Sequence, residues 1–272
     1  MDNALQQNKK DSSMFQAGAV QLWDVMYGPI AKDESEFVCK IWKDRGHADP
    51  GKALDIGCGT GRYVVPLSKN GWQVTGIDSS SAMLNVLSRK AAKHDVQTEL
   101  IQSEFLEFKS SDRYDLALAF FSLIYILPDR DVLHFLRKTH DFLRPEGIFL
   151  VNFFNAYEFW DTKGWNSDMA RLFKGGHLKV SYTNTPENKL WGITRTEDFR
   201  QFSHSAMGSA YDATIRPIRF HSPGSIRLFM RKAGFEYITF YSGFTGKELG
   251  SEDTRSAIIT VVATRAKDNQ KN

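Results

Sequence analysis

The chain of 272 residues is poor in cysteine, with only Cys39 and Cys58, and neither forms a CxxC pair or lies near paired histidines. This excludes a disulfide framework and a structural zinc site, and fits a reducing compartment. Charge of one sign is also missing: 35 basic against 32 acidic side chains leave a net charge of +3. A surface that tracks nucleic-acid phosphates needs a larger basic excess, so no nucleic-acid partner is expected. No stretch approaches the ~20 continuous apolar residues of a membrane span, and residues 1–13 lack the apolar segment of a signal peptide. The expectation is a cytoplasmic protein without a membrane partner. What the chain has in plenty is aromatic: 20 Phe, 9 Tyr and 6 Trp, in a composition that is 42% hydrophobic and 25% charged. Such a chain can bury a core and wall a ligand pocket.

Hydrophobic periodicity divides the chain. Residues 1–44 form a helical cap in which Val20, Leu22, Trp23, Met26, Phe37, Val38 and Ile41 recur at near-helical spacing, broken at Tyr27-Gly28-Pro29. Residues 45–153 alternate strand and helix. Strands are expected at Ala53–Ile56, Gln73–Ile77, Thr98–Ile101, Leu116–Phe121 and Ile148–Phe153. The fourth is apolar throughout, as in a parallel strand covered on both faces. A helix over Asp129–Leu143 is expected to stop at the turn Arg144-Pro145-Glu146-Gly147. Residues 154–222 read as an antiparallel β-rich insertion, with strands at Lys179–Thr183, Leu190–Thr196 and Tyr211–His221 separated by turn-like Asn184–Asn188 and Met207–Ser209. Residues 223–265 give a helix opened by Ser222-Pro223 and closed by Gly234, then strands at Phe235–Tyr241 and Ser256–Thr264. Residues 266–272 read as a frayed tail. The class is α/β, doubly wound.

The chemistry concentrates after the first strand, at Leu54-Asp55-Ile56-Gly57-Cys58-Gly59-Thr60-Gly61. Glycines at alternate positions between strand and helix admit a ligand close to the backbone. Gly59 and Gly61 are two apart, not the three of a dinucleotide fingerprint, and Asp55 would repel a phosphate but suits an amino-bearing or cationic ligand. Asp78 ends the second strand, where a carboxylate can accept from both ribose hydroxyls. Glu104-Phe105 follows the third, placed to meet an adenine amino group and the base.

These residues resemble the class I S-adenosylmethionine-dependent methyltransferases over roughly residues 20–265. The resemblance implies a Rossmann-like sheet of seven strands and S-adenosyl-L-methionine as cofactor, held by Asp55, Gly57, Cys58, Gly59, Gly61, Asp78, Ser79, Met83, Glu104, Phe105, Phe121 and Ser122, with Leu123 near the transferred methyl. Trp23-Asp24-Val25-Met26-Tyr27, the Phe121-Ser122 ending and the β-rich insertion resemble small-molecule N-methyltransferases of the amino-sugar type. This chain departs from those enzymes at Ile126, where they carry a histidine. The expected reaction is transfer of a methyl group to a small-molecule acceptor, an amine nitrogen, by in-line displacement. Transfer to oxygen or carbon, or cofactor binding without catalysis, remain alternatives; a nucleic-acid substrate ranks below them.

Candidates for the acceptor side are fewer. Tyr27 is either a lid or a packed link between helices, and Tyr125 either orients the acceptor or packs helix on sheet. His177, His204 and His221 are candidate proton acceptors or satisfied structural histidines. Tyr157-Glu158-Phe159-Trp160-Asp161 is either an acceptor wall or an exposed helix start. Cys58 is read as small rather than nucleophilic. A homodimer built on the inserted strands is an expectation, internal capping of their edges the alternative. No metal is expected.

Overall fold

A computed structural model of the protein describes residue 20 and residues 31–121, 123–127, 129–159, 165–173, 176–188, 194–204, 209–250 and 256–267, with side chains described outside 129–130 and 159–218. Its elements in chain order are α1 (Ala31–Asp44), β1 (Lys52–Ile56), α2 (Val64–Lys69), β2 (Gln73–Asp78), α3 (Ser81–Lys93), β3 (Glu99–Gln102), β4 (Tyr114–Ala119), α4 (Leu123–Ile126), α5 (Asp129–Phe142) and β5 (Leu143–Asn155). They continue with α6 (Ala156–Phe159), β6 (Trp165–Phe173), β7 (Gly176–Asn188), β8 (Thr194–His204), β9 (Ser209–His221), α7 (Pro223–Lys232), β10 (Phe235–Ser242) and β11 (Ile258–Arg265).

Strands β3-β2-β1-β4-β5 are parallel, and β11 and β10 continue the sheet antiparallel beyond β5. This is the expected seven-stranded, Rossmann-like α/β sheet. Apolar side chains cover both of its faces. Leu54, Ala117, Phe149 and Val261 pack with α5 and α7 on one side, while Ala53, Leu118, Leu150 and Val262 pack with Phe37, Val38, Ile41 and Trp42 of α1 on the other. Each such fully buried aliphatic or aromatic side chain contributes about 1.5–3 kcal/mol. Arg45, just past α1, ties that helix to the last two strands by donating to Thr264 Oγ1 and Thr239 Oγ1, each at 3.2 Å.

Capping follows the sequence. Ser80 Oγ accepts from the Met83 N–H at 3.3 Å to start α3, Ser222 Oγ accepts from the Ser225 N–H at 3.1 Å to start α7, and Gly234 at φ +101° ends it. Two turns expected from composition are absent. Arg144-Pro145-Glu146-Gly147 lies inside β5, where a register shift against β4 and the positive φ of Glu146 absorb the irregularity as a bulge. Asn184–Asn188 lies within β7, because its residues find partners between Arg195 and Asp198 of β8, with a shift between Pro186 and Asn188. Backbone pairing across strands outweighed the turn preference of Asn and Pro.

The inserted strands β6–β9 form an antiparallel run joined to the main sheet through β9, where Phe154 pairs Phe220 and Asn155 pairs His221. Phe154 also pairs Ile258 of β11, so β9 lies on the other edge of β5, the side occupied lower down by β4. The insertion therefore begins directly beyond the carboxyl end of β4. That edge is where doubly wound sheets bind ligands, since the strand order reverses between β1 and β4.

Candidate functional site

The carboxyl end of β1 runs straight into the glycine turn. The N–H groups of Gly57 and Cys58 both donate to the Ile77 carbonyl, at 2.8 and 3.0 Å, which fastens the turn to the end of β2. Gly57, Gly59 and Gly61 have φ of +73°, +53° and +84°, a region other residues enter only with strain. Two of the glycines differ in what surrounds them. A Cβ on Gly59 would meet nothing closer than Met83 Sδ at 4.0 Å, whereas a Cβ on Gly61 would fall 2.1 Å from Leu87 Cδ1. Gly59 leaves room above the backbone, while Gly61 permits the turn to pack on α3. Cys58 is buried, and burial pushes its thiol well above the ordinary range, so it is no nucleophile.

Asp78 ends β2 and closes the turn from the other side. Its Oδ2 accepts from the Gly59 N–H at 2.9 Å and its Oδ1 from the Ser80 N–H at 2.8 Å. Burial raises its pKa although both backbone bonds act to lower it. Asp55 is 2% exposed, and its Oδ2 has no hydrogen-bond partner among the described residues. Burial first, and the Asp78 charge second, raise the Asp55 pKa to about 7. A buried carboxylate with an open oxygen next to a second carboxylate is a ready acceptor for an ammonium group. An amino-bearing, ribose-bearing ligand over Gly59 fits this donor set. Gln102 and Ser103 hold the neighbouring loop, through Gln102 Nε2 to the Ser79 carbonyl at 3.3 Å and the Ser103 N–H to the Asp78 carbonyl at 3.1 Å.

The adenine-side expectation divides. Glu104 is exposed at the mouth of the turn, free to face a base. The Phe105 ring is not: it is 3% exposed and packs on Phe135 and Phe142 at centroid distances of 5.6 and 6.0 Å, with Lys138 Nζ 5.6 Å from its centroid. The apolar core recruits the ring, which is thereby withdrawn from stacking on a base. Met83, at 2% exposure, packs beneath the turn.

Beyond β4 the lining changes to aromatic rings. Phe121 has φ +50°, its N–H donates to Asn152 Oδ1 at 2.8 Å, and its ring lies parallel to Tyr125 at 6.2 Å. The Tyr125 hydroxyl donates to the same Asn152 oxygen at 2.9 Å, and its ring is 4.7 Å from Phe154. His221 is fully buried with Nε2 3.2 Å from the Ile124 carbonyl, which joins β9 to α4. That placement makes it a structural link between insertion and core. Tyr157 is half exposed at the start of α6, with Glu158 exposed beside it. Tyr27, Ser122, Trp160 and Asp161 lie outside the described residues; His177 and His204 stand in β7 and β8, their side chains likewise outside them.

Sequence reading missed a cluster that joins the two halves. Glu34 of α1 forms a buried ion pair with Arg62, which directly follows the glycine turn, and accepts from the Tyr63 hydroxyl at 2.8 Å. Arg62 in turn lies 4.8 Å from the Phe121 ring centroid. Burial raises the Glu34 pKa, with Arg62 and Tyr63 acting against it. The available signal was an acidic residue on the otherwise apolar face of α1.

Residues 53–147 match the methyltransferase domain family. A putative methyltransferase of a Geobacillus species is 28% identical over 63% of this chain and 71% of its own. The glycine/sarcosine N-methyltransferase of Aphanothece halophytica is 25% identical over 86% of each chain. Among solved structures, an S-adenosylmethionine-dependent methyltransferase from Clostridium acetobutylicum superposes with a TM-score of 0.74 at 15% identity, over 90% of this chain and 97% of its own. An amino pentose methyltransferase from Micromonospora echinaspora, solved with S-adenosylmethionine, superposes at 0.67 and 16% identity, over 90% and 97%. Likeness at such identity is likeness of fold.

Proposed function

Because this chain is a class I S-adenosylmethionine-dependent methyltransferase, we propose that it transfers the methyl group to the nitrogen of a small amine, of the amino-sugar or amino-acid kind. The observation that carries this reading is the charge inventory of the described site. Asp55, Asp78 and Glu34 stand around the turn against two cations, Arg62, which Glu34 engages, and Lys90, whose Nζ donates to the Thr60 carbonyl at 3.0 Å, which leaves an excess of acid. Such a site draws in cationic groups and disfavours anionic acceptors. The relative named a glycine/sarcosine N-methyltransferase supports the same reading, and the fold neighbour named an amino pentose methyltransferase is in keeping with it.

The cofactor supplies an electrophilic methyl group on a sulfonium; the protein's task is placement. Asp55 accepts from an amino group, Asp78 is placed for ribose hydroxyls, and Gly59 leaves the space between them. Glu104 and the backbone of Phe105 are assigned to the adenine side, with Ser79, Cys58, Gly57 and Met83 shaping the turn. Phe121 and Tyr125 wall the acceptor side and exclude water from an in-line displacement, where alignment supplies up to about 7–11 kcal/mol in favourable systems. An amine has only to arrive deprotonated, so no protein base is required in the bond-making step.

The test is label transfer from S-adenosylmethionine to pairs of acceptors that differ only in amine against hydroxyl. Label on the amines supports the reading; label on hydroxyls alone overturns it. Light scattering addresses the proposed homodimer through the inserted strands, and a monomer at working concentration rejects it.

A further inference from the structure

Asn152 is fully buried near the carboxyl end of β5, and its side chain makes contacts that no sequence motif announces. Its single oxygen accepts from two donors, the Phe121 N–H at 2.8 Å and the Tyr125 hydroxyl at 2.9 Å. Two donors on one atom fix the amide's orientation, since a nitrogen there could accept from neither. Its Nδ2 has no hydrogen-bond partner among the described residues, and the same holds for the hydroxyl of Thr260, directly opposite in β11. A buried amide nitrogen without a partner is unfavourable. What asparagine adds here over an apolar side chain of similar size is therefore its oxygen.

That oxygen holds a strained residue. Phe121 sits at φ +50° two residues past β4, a left-handed conformation that costs a bulky side chain free energy and persists only when neighbours impose it. With that turn in place, the Phe121 ring lies under Arg62, 4.8 Å away, and Arg62 adjoins Gly61. The same turn sets the Tyr125 ring parallel to Phe121.

We infer that Asn152 is a positioning residue that locks Phe121 in its left-handed turn, and so sets the wall shared by the donor pocket and the acceptor pocket. This rests on the donor-site reading above. Asn152 itself touches neither substrate nor cofactor in this assignment; it acts through Phe121.

The experiment is a double-mutant cycle read as affinity for S-adenosylhomocysteine by calorimetry. Glycine adopts a positive φ without strain, so Phe121→Gly removes the need for a lock. Asn152→Leu should weaken binding about tenfold with Phe121 present and less than about twofold in the Phe121→Gly background, a coupling expected of directly bonded residues. An equal loss in both backgrounds would mean that Asn152 serves only general packing of β5 and would overturn the proposal. If Asn152→Leu does not fold, Asn152→Ser, too short to reach the Phe121 N–H, takes its place in the same cycle. Absence of binding by the parent protein would instead overturn the donor-site reading.

Discussion

The carboxyl ends of β1 and β2 and those of β4 and β5 lie on one edge of one sheet, yet they are built from different materials. The first pair ends in glycines and carboxylates held by backbone N–H groups: Asp78 on Gly59 and Ser80, and the turn on the Ile77 carbonyl. The second ends in rings held by a side chain far away in sequence, Phe121 and Tyr125 on Asn152, 31 and 27 positions apart. The first half suits a ligand that never changes, because backbone geometry fixes it. The second is assembled from α1, β5 and the insertion and can be altered piecewise to suit an acceptor.

The largest expected effect comes from cutting the link between the halves. Glu34→Ala leaves the Arg62 guanidinium buried without its carboxylate, and loss of one member of a buried pair costs about 3–5 kcal/mol. Chemical denaturation should show it; a loss below about 1 kcal/mol would mean the pair behaves as a surface one. Gly61→Ala sharpens the contrast within the glycine turn. Its Cβ would overlap Leu87 at 2.1 Å and φ is +84°, so a stability loss of about 2–4 kcal/mol is expected by the same measurement. Gly59→Ala, with only Met83 Sδ at 4.0 Å, should lose about 1–2 kcal/mol through its positive φ, with cofactor affinity falling more than stability does. Equal stability losses at the two positions would erase the distinction between packing glycine and ligand glycine. Asp78→Ala should then lower S-adenosylhomocysteine affinity about ten- to a hundredfold, about 1.5–3 kcal/mol for charge-assisted hydrogen bonds.

The same contrast explains what could be read from sequence. The β/α alternation, the cap at Ser222 and the glycine turn between β1 and α2 were legible, because backbone conformation and local spacing determine them. The Glu34–Arg62 pair and the Asn152–Phe121 bond span 28 and 31 positions, and no local pattern reports such partners. Phe105 went the other way. It follows β3 as expected, but whether its ring turns to ligand or core depends on Phe135 and Phe142, 30 and 37 positions downstream. The β7 segment Asn184–Asn188 shows a further limit, since turn-forming residues become strand when a neighbouring strand pairs with them.

We propose that Asp55, in β1 just before the glycine turn, receives the ammonium group of the ligand. Its folded pKa stands at about 7 against an ordinary 3.8, so between those values the empty protein holds it protonated while the unfolded chain does not. The sign follows. Its contribution to folding is fully present below pH 3.8 and is lost as pH rises through about 7, and Asp55→Asn should flatten that loss. A bound ammonium group reverses the balance by favouring the ionised form. Calorimetric titration with S-adenosylhomocysteine from pH 5 to pH 8 tests this directly. Affinity should rise up to about tenfold per pH unit until about pH 7 and then level off, and Asp55→Asn should bind more weakly with that pH dependence removed. A parent protein whose affinity does not change with pH, or an Asp55→Asn variant that keeps the full dependence, would contradict the claim.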